Sequence, residues 1–422
     1  KGTHATPHHL LDLPLEIRRQ IYLLMLNFKP CHHLSLMCVC KQISCEARES
    51  FFQRPLICPS QNHLISFVQK ESKKVLGDIT HLHLRLEEIE ASVMQPYLAS
   101  VAITATMPPD QHPYLVEINR ITGALTELSG ITRLAVLGPS DASKNTPATV
   151  VTTSILQWIV DHYHHLRDLR VEIESCRLDS LSRLTELRAL RISAYSETSP
   201  LRTADVLSRL GSLEDLHISG PSRAVHLRQK HGLQSRIVQS VSNLIFEQLK
   251  PLKRLRIKEV INSRGEGSGL LTCNTVKALY EIHKESLQVL HISASEAPSR
   301  PFVAYLSALL IAAPGLQELH LTWPGMDDDF VDNFPNSVRR LKLTVSSPAQ
   351  AQAIVYRLAA MRYRLRCLQQ LKFSVINVPT TVSGSEHKQQ SSSFGLPIPH
   401  LAVDINSPWP TSWEIWQPLP LD

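Results

Sequence analysis

The chain has 422 residues, 43% of them hydrophobic and 19% charged, enough apolar content for a large buried core and a length that sets a prior of two or three domains. The 44 Lys+Arg against 38 Asp+Glu give a formal charge of +6, spread along the chain and not gathered in a basic arm, which argues against a nucleic-acid partner on charge alone. The eight cysteines form no secretory disulfide framework, and the longest apolar run, Phe302 to Ala313, is too short to span a bilayer, so the expected setting is a reducing one, cytoplasmic or nuclear. No signal peptide opens the chain, although a lost leader stays open because Lys1 is not an initiator Met.

In chain order, the first module, residues 8–54, reads as two amphipathic helices around a joint marked by Pro30. Pro14 suits a first helical turn, where its missing N–H costs nothing, and Glu16 in that turn complements the helix dipole. Ile17, Ile21 and Leu24 recur at helical spacing, with Arg18, Arg19 and Gln20 on the other side. A second helix from about Ser35 stacks Leu36, Val39, Ile43 and Ala47 on one stripe. Tyr22, Leu23, Met25, Met37 and Cys40 are apolar off those stripes. A unit under ~50 residues cannot bury so much apolar surface alone, so part of it is expected to face another domain or another protein.

Leu13-Pro14-x-Glu16-Ile17-x3-Ile21, followed by Leu34-x4-Val39-Cys40-Lys41, resembles an F-box, in the form LPxEIRxxIY…VCKQI…EA common in filamentous-fungal proteins. The resemblance implies a small helical adaptor that binds Skp1 and through it joins a cullin-based ubiquitin ligase. The residues it assigns to Skp1 are Leu13, Pro14, Ile17, Ile21, Tyr22, Met25, Leu34, Met37, Val39, Cys40 and Ile43. Many F-boxes carry Trp shortly after VCK, whereas here Ile43 falls nearby and the first Trp is Trp158. The alternative is a non-ligase scaffold whose N-terminal helices only cap the repeats that follow, a reading that leaves the second apolar face unexplained.

After a connector, 55–78, with a helix near Leu64 to Val75, the spacing Φxx(L)xΦ appears at Ile79/Leu82/Leu84. It recurs in nine further copies, from Ile131/Leu134/Val136 to Leu368/Leu371/Phe373. Between copies the pattern turns helical, as in ATVVTTSILQWIVDHYHHL, SRIVQSVSNLIFEQL, NTVKALYEIH, FVAYLSALLIAA and AQAIVYRLAAMRYRL. Each repeat is a strand plus a helix that cannot bury its own apolar side, so neighbours must stack. This resembles a leucine-rich repeat over residues 79–376. The expected fold is an α/β solenoid, an irregular leucine-rich-repeat arc with a parallel inner sheet and outer helices, preceded by the small all-α F-box-like module. The Asn or Cys that such repeats carry three positions beyond the strand is absent, and the 82 to 134 interval has room for a capping insertion. Residues 377–396 read as a flexible polar loop and 397–422 as a Pro/Trp-rich cap, with a partner site on Trp409, Trp413 and Trp416 as the alternative.

The residue between the last two inward positions of each repeat faces away from the helices by the two-residue strand period. These positions hold His83, Ala135, Arg170, Arg191, His217, Arg256, His291, His320, Lys342 and Lys372. Nine of the ten are Lys, Arg or His, types that make up 64 of 422 residues (44 plus 20). From Arg170 to Lys372 this stripe is either a binding surface for an acidic or phosphorylated target, with Arg191 and Arg256 as bidentate anion acceptors, or a solubilising face. In the second reading Asp168, Asp215 and Glu318 neutralise Arg170, His217 and His320 from two residues earlier. Cys31, His32, His33, Cys38, Cys40 and Cys45 lack metal-ligand spacing, His162 to His165 read as a helix C-cap, and Arg264 to Gly269 lack the full letters of a phosphate loop. No catalytic motif, metal site or cofactor site is expected.

Overall fold

The computed structural model describes residues 10–28, 39–52, 54–86, 113–138, 148–173, 176–220, 238–259, 270–294, 297–375 and 400–404. It divides into two compact units, Lys1–Ser140 with Asn145–Val171, and Asp141–Lys144 with Glu172–Asp422.

The first unit opens with helices α1 (Leu15–Phe28) and α2 (Lys41–Phe52), which pack on each other. Strand β1 (Leu56–Cys58) follows, then α3 (Gln61–Lys70), α4 (Lys73–Asp78), β2 (His81–Arg85), α5 (Pro113–Thr126), β3 (Arg133–Leu137), α6 (Ala148–His162) and β4 (Asp168–Glu172). The strands lie in the order β1-β2-β3-β4, with β1, β2 and β3 parallel. The single helix expected from Leu64 to Val75 is two, because the Ser72 hydroxyl accepts the Val75 N–H and starts a new helix. Part of the 82 to 134 interval is α5; residues 87–112 lie outside the described residues. At the end of α6, the Tyr163 hydroxyl donates to the Leu125 carbonyl at 2.6 Å, and the His162 ring meets the Trp158 carbonyl at 2.8 Å as a helix-end contact.

The second unit stacks β5 (Ala189–Ser193), β7 (Asp215–Ser219), β9 (Arg254–Lys258), β10 (Val289–Ser293), β11 (Glu318–Thr322), β12 (Arg340–Val345) and β13 (Gln370–Val375) in that order, every pair parallel. The middle leucines of the repeat stand in register: Leu190, Leu216, Leu255, Leu290, Leu319, Leu341 and Leu371. All are at most 2% exposed. Each contributes about 1.5–3 kcal/mol by leaving water, and stacking makes the contribution continuous along the unit. This is a leucine-rich-repeat architecture: one strand per repeat, leucines inward, and a helical segment returning to the next strand. The helices are α7 (Pro200–Ser208), α8 (Asn243–Gln248), α9 (Cys273–Ala278), α10 (Arg300–Ile311) and α11 (Pro348–Ala360).

Several of these helices start the same way. Ser199, Ser299 and Ser347 accept the N–H three residues on and are followed by Pro in the first turn, and Thr272 caps α9 likewise. The irregular repeat lengths have a structural counterpart. From Leu169 to Leu190 and from Leu319 to Leu341 the steps are 21 and 22 residues (190 − 169 and 341 − 319), and the return is only a 3-10 segment, Asp179–Arg183 and Asp328–Asn333. The step from Leu341 to Leu371 (371 − 341 = 30) has room for α11. One helix expectation fails: in SRIVQSVSNLIFEQL, β8 (Val238–Gln239) pairs antiparallel with β6 (Tyr195–Ser196), and helix occupies only α8. Beyond α9 the chain makes a π-helical turn, Leu279–His283, and places the fully buried His283 between repeats. Its Nδ1 accepts the Leu252 N–H at 3.0 Å and its Nε2 donates to the Phe246 carbonyl at 3.0 Å.

Beyond the expected polar loop, β14 (His400–Asp404) pairs antiparallel with β13 and covers what would be an open sheet edge. Residues 377–396 and the three C-terminal tryptophans lie outside the described residues.

Candidate interaction surfaces

The N-terminal helix pair closes its own small core with Ile43 and Ala47 from the stripe expected of the second helix and with Tyr22, which lies off the stripe expected of the first. Tyr22, Ile43 and Ala47 are 0%, 4% and 0% exposed, with Leu10 and Cys40 packed against them. Beside them a polar knot ties the helices. Arg18 donates to both oxygens of Glu46 at 2.8 and 2.7 Å and to the carbonyls of Leu11 and Leu13, while the Tyr22 hydroxyl and the Gln42 amide each donate to Glu46 at 2.9 Å. These donors, Arg18 foremost, hold the Glu46 carboxyl down at about 2. The expected stripe of Ile17, Ile21 and Leu24 is therefore not the buried one. Ile17 and Leu24 are 43% and 58% exposed, as is Met25 at 44%, and Ile21 is half-buried. The described part of the second helix is Lys41–Phe52, with Val39 ahead of it at 63% exposure, and Ser35 lies outside the described residues. Of the other residues assigned to Skp1, Leu13 is half-buried, Pro14 is exposed, and Leu34 and Met37 lie outside the described residues. Ile17, Leu24, Met25 and Val39 are thus left exposed on a module whose own core is already satisfied.

The stripe positions fall side by side. In the second unit Arg191, His217, Arg256, His291, His320, Lys342 and Lys372 are consecutive ladder partners on the helix-free face. In the first unit Ile57, His83 and Ala135 are register partners, and Arg170 occupies the same position on β4; Ile57 is 60% exposed and Ala135 buried.

Histidines dilute the expected cationic character. His320 is pushed down to about 3, first by burial, then by Lys342 and His291. Burial also lowers His291, against the pull of Glu318, and lowers His83, with Arg170 adding to the effect. These rings are neutral at pH 7. His291 and His320 meet edge to face at 5.1 Å, and His320 Nε2 lies 3.1 Å from the Thr322 hydroxyl.

Glu318 pairs differently from the expectation, and two further acids pair across strands. Glu318 reaches His291 at 2.7 Å and Arg340 at 2.7 Å on the strands either side, Asp215 reaches Arg254 at 3.7 Å, and Arg191 meets Glu172 at 2.6 Å. Neighbouring strands are about 4.8 Å apart, whereas residues two apart on one strand are separated by about 6.7 Å, so the cross-strand partner is the nearer one. Among the described residues no group of three His, Cys, Asp or Glu is placed to hold a metal ion, and no helix is long and apolar enough to cross a membrane.

No protein-family model and no curated protein matches the chain. A solved structure titled as a TLR13–ssRNA13 complex is similar at 12% identity and a TM-score of 0.30, over 77% of this chain and 40% of that one. The chain thus spans less than half the length of the protein in that structure.

Proposed function

We propose that this protein is a non-catalytic adaptor: its N-terminal helix pair docks a Skp1-like subunit, and through it a cullin, while its repeats present a target protein for ubiquitination. The exposure of the apolar side chains of Ile17, Leu24, Met25 and Val39 carries this reading. A helix pair that served only as a cap would turn those side chains onto the repeats, whereas this pair spends Tyr22, Ile43 and the Arg18 to Glu46 knot on its own closure. The F-box-like letters from Leu13 to Ile43 supply the identity of the partner. The repeats supply a sheet face that none of the described helices covers, of the size and regularity that protein recognition uses.

Capture of the full chain by purified Skp1 tests the proposal. Binding is expected for the unaltered chain and is expected to be lost on replacing Ile17 and Met25 together by Asp, which leaves the buried residues in place. A chain that does not bind Skp1 is a repeat scaffold without a ligase.

A further inference from the structure

The helix-free face of the second unit has a charge balance that the stripe alone does not reveal. Each of the three acids on its described strands is already taken: Glu172 by Arg191 at 2.6 Å, Asp215 by Arg254 at 3.7 Å and Glu318 by Arg340 at 2.7 Å. Four cations on the same face have no ion-pair partner among the described residues: Arg256 and Lys258 on β9, Lys342 on β12 and Lys372 on β13. Arg256 Nε is buried there without a hydrogen-bond acceptor among those residues. Lys342 and Lys372 are ladder partners. The Lys342 ammonium is held below its usual range by burial and then by Lys372, so an anion placed between the two would relieve their repulsion.

The unmatched charge therefore lies in two clusters. Between them stand β10 and β11, where Glu318 and the flanking Arg340 compensate each other and the neutral His291 hydrogen-bonds to Glu318. From β9 to β12 is three strand spacings and to β13 four, about 14 and 19 Å. An extended peptide advances about 3.3 Å per residue, so about four to six residues bridge the clusters.

We propose that this face binds an extended acidic segment of a target protein laid across the strands, one anionic group at Arg256 and Lys258 and a second, four to six residues away, at Lys342 and Lys372. The Ser293 hydroxyl, on a ladder neighbour of Lys258, adds a hydrogen-bond donor at the first cluster, whereas the Ser219 hydroxyl already donates to the Ile192 carbonyl at 3.3 Å. A nucleic-acid backbone fits less well, because it carries a charge at every nucleotide and would set phosphates over Glu318. The inference deepens the target-binding half of the adaptor reading and rests on it for the protein nature of the ligand.

Fluorescence anisotropy of the full chain, without Skp1, with labelled Gly/Ser peptides carrying two Asp pairs at varied separation is the test. Binding is expected to be tightest at a separation of about five residues, about tenfold tighter than with adjacent pairs or with pairs twice as far apart. Lys258→Ser and Lys372→Ser, both at exposed positions, are each expected to weaken that peptide and to flatten the dependence on separation. The separation series uses the unaltered chain, so it stands whatever the variants do. Binding that is independent of separation, or an oligonucleotide of matched charge that binds more tightly than the best peptide, overturns the proposal. Spacing-dependent binding by a chain that fails to capture Skp1 would sink the ligase reading and keep this one, and the reverse outcome would do the opposite.

Discussion

His320 makes the folded protein sensitive to mild acid. In the unfolded chain its imidazole titrates near 6.5, and in the folded one it is pushed down to about 3. Between those values the unfolded state binds a proton that the native state refuses, so stability rises with pH across the window and is lost as pH falls from 6.5 toward 3. From pH 7 to pH 5 the unfolded state gains about 2 kcal/mol at this one site, the free energy of binding a proton about 1.5 pH units below its pKa less the small amount already gained at pH 7. The ring is partly exposed at the sheet face, and solvent screening reduces this to about 1 kcal/mol. His320→Gln removes the titration and keeps a polar group beside Thr322. Urea unfolding at pH 7, 6 and 5 should show the unaltered chain losing about 1 kcal/mol more than the variant. Equal pH slopes, or a His320 ring resonance that titrates near 6.5 in the folded chain, would refute the electrostatic account of this face.

Three further outcomes are expected. His283→Phe leaves the buried Leu252 N–H and Phe246 carbonyl without their partner, and at about 1–3 kcal/mol for each such group the loss in urea unfolding should be about 2–6 kcal/mol. Ser299→Ala and Ser347→Ala each remove a helix cap and should cost about 1 kcal/mol, with Ser→Gly at the same positions costing only a few tenths, read from the shift in thermal midpoint. In the N-terminal pair, the folded Glu46 carboxyl lies well below its ordinary 4.5, so its contribution is full above pH 4.5 and is lost as pH falls toward about 2. Glu46→Gln should remove that acid transition, followed as the pH dependence of helical circular dichroism in the unaltered and variant chains.

Much of the repeat fold was legible in the residues. The Φxx(L)xΦ spacing is a local consequence of a strand that buries alternate side chains, and every middle leucine from Leu190 to Leu371 took the register that the spacing implied. The helix starts were legible too, in the Ser and Pro pairs at 199–200 and 347–348, although periodicity alone does not find them. The short segment 235–249 misled because apolar letters at helical spacing also suit a two-residue strand that finds Tyr195 as its partner. Helix α1 misled for a different reason. Periodicity finds an apolar stripe but not the direction in which it points, and Arg18 with Glu46, 28 positions apart, holds the more polar face inward.

The sequence by itself determined which residues enter the sheet, which of their side chains alternate toward the leucine core, and that the opposite face carries Lys, Arg and His at nearly every repeat. All three depend on chain geometry over a few residues. Only the tertiary structure decided which of those cations remain unmatched, which histidines are neutral, and which apolar residues of α1 stay exposed. Those outcomes depend on desolvation and on Coulomb interactions between strands about 4.8 Å apart in space yet some 20–40 positions apart in the chain.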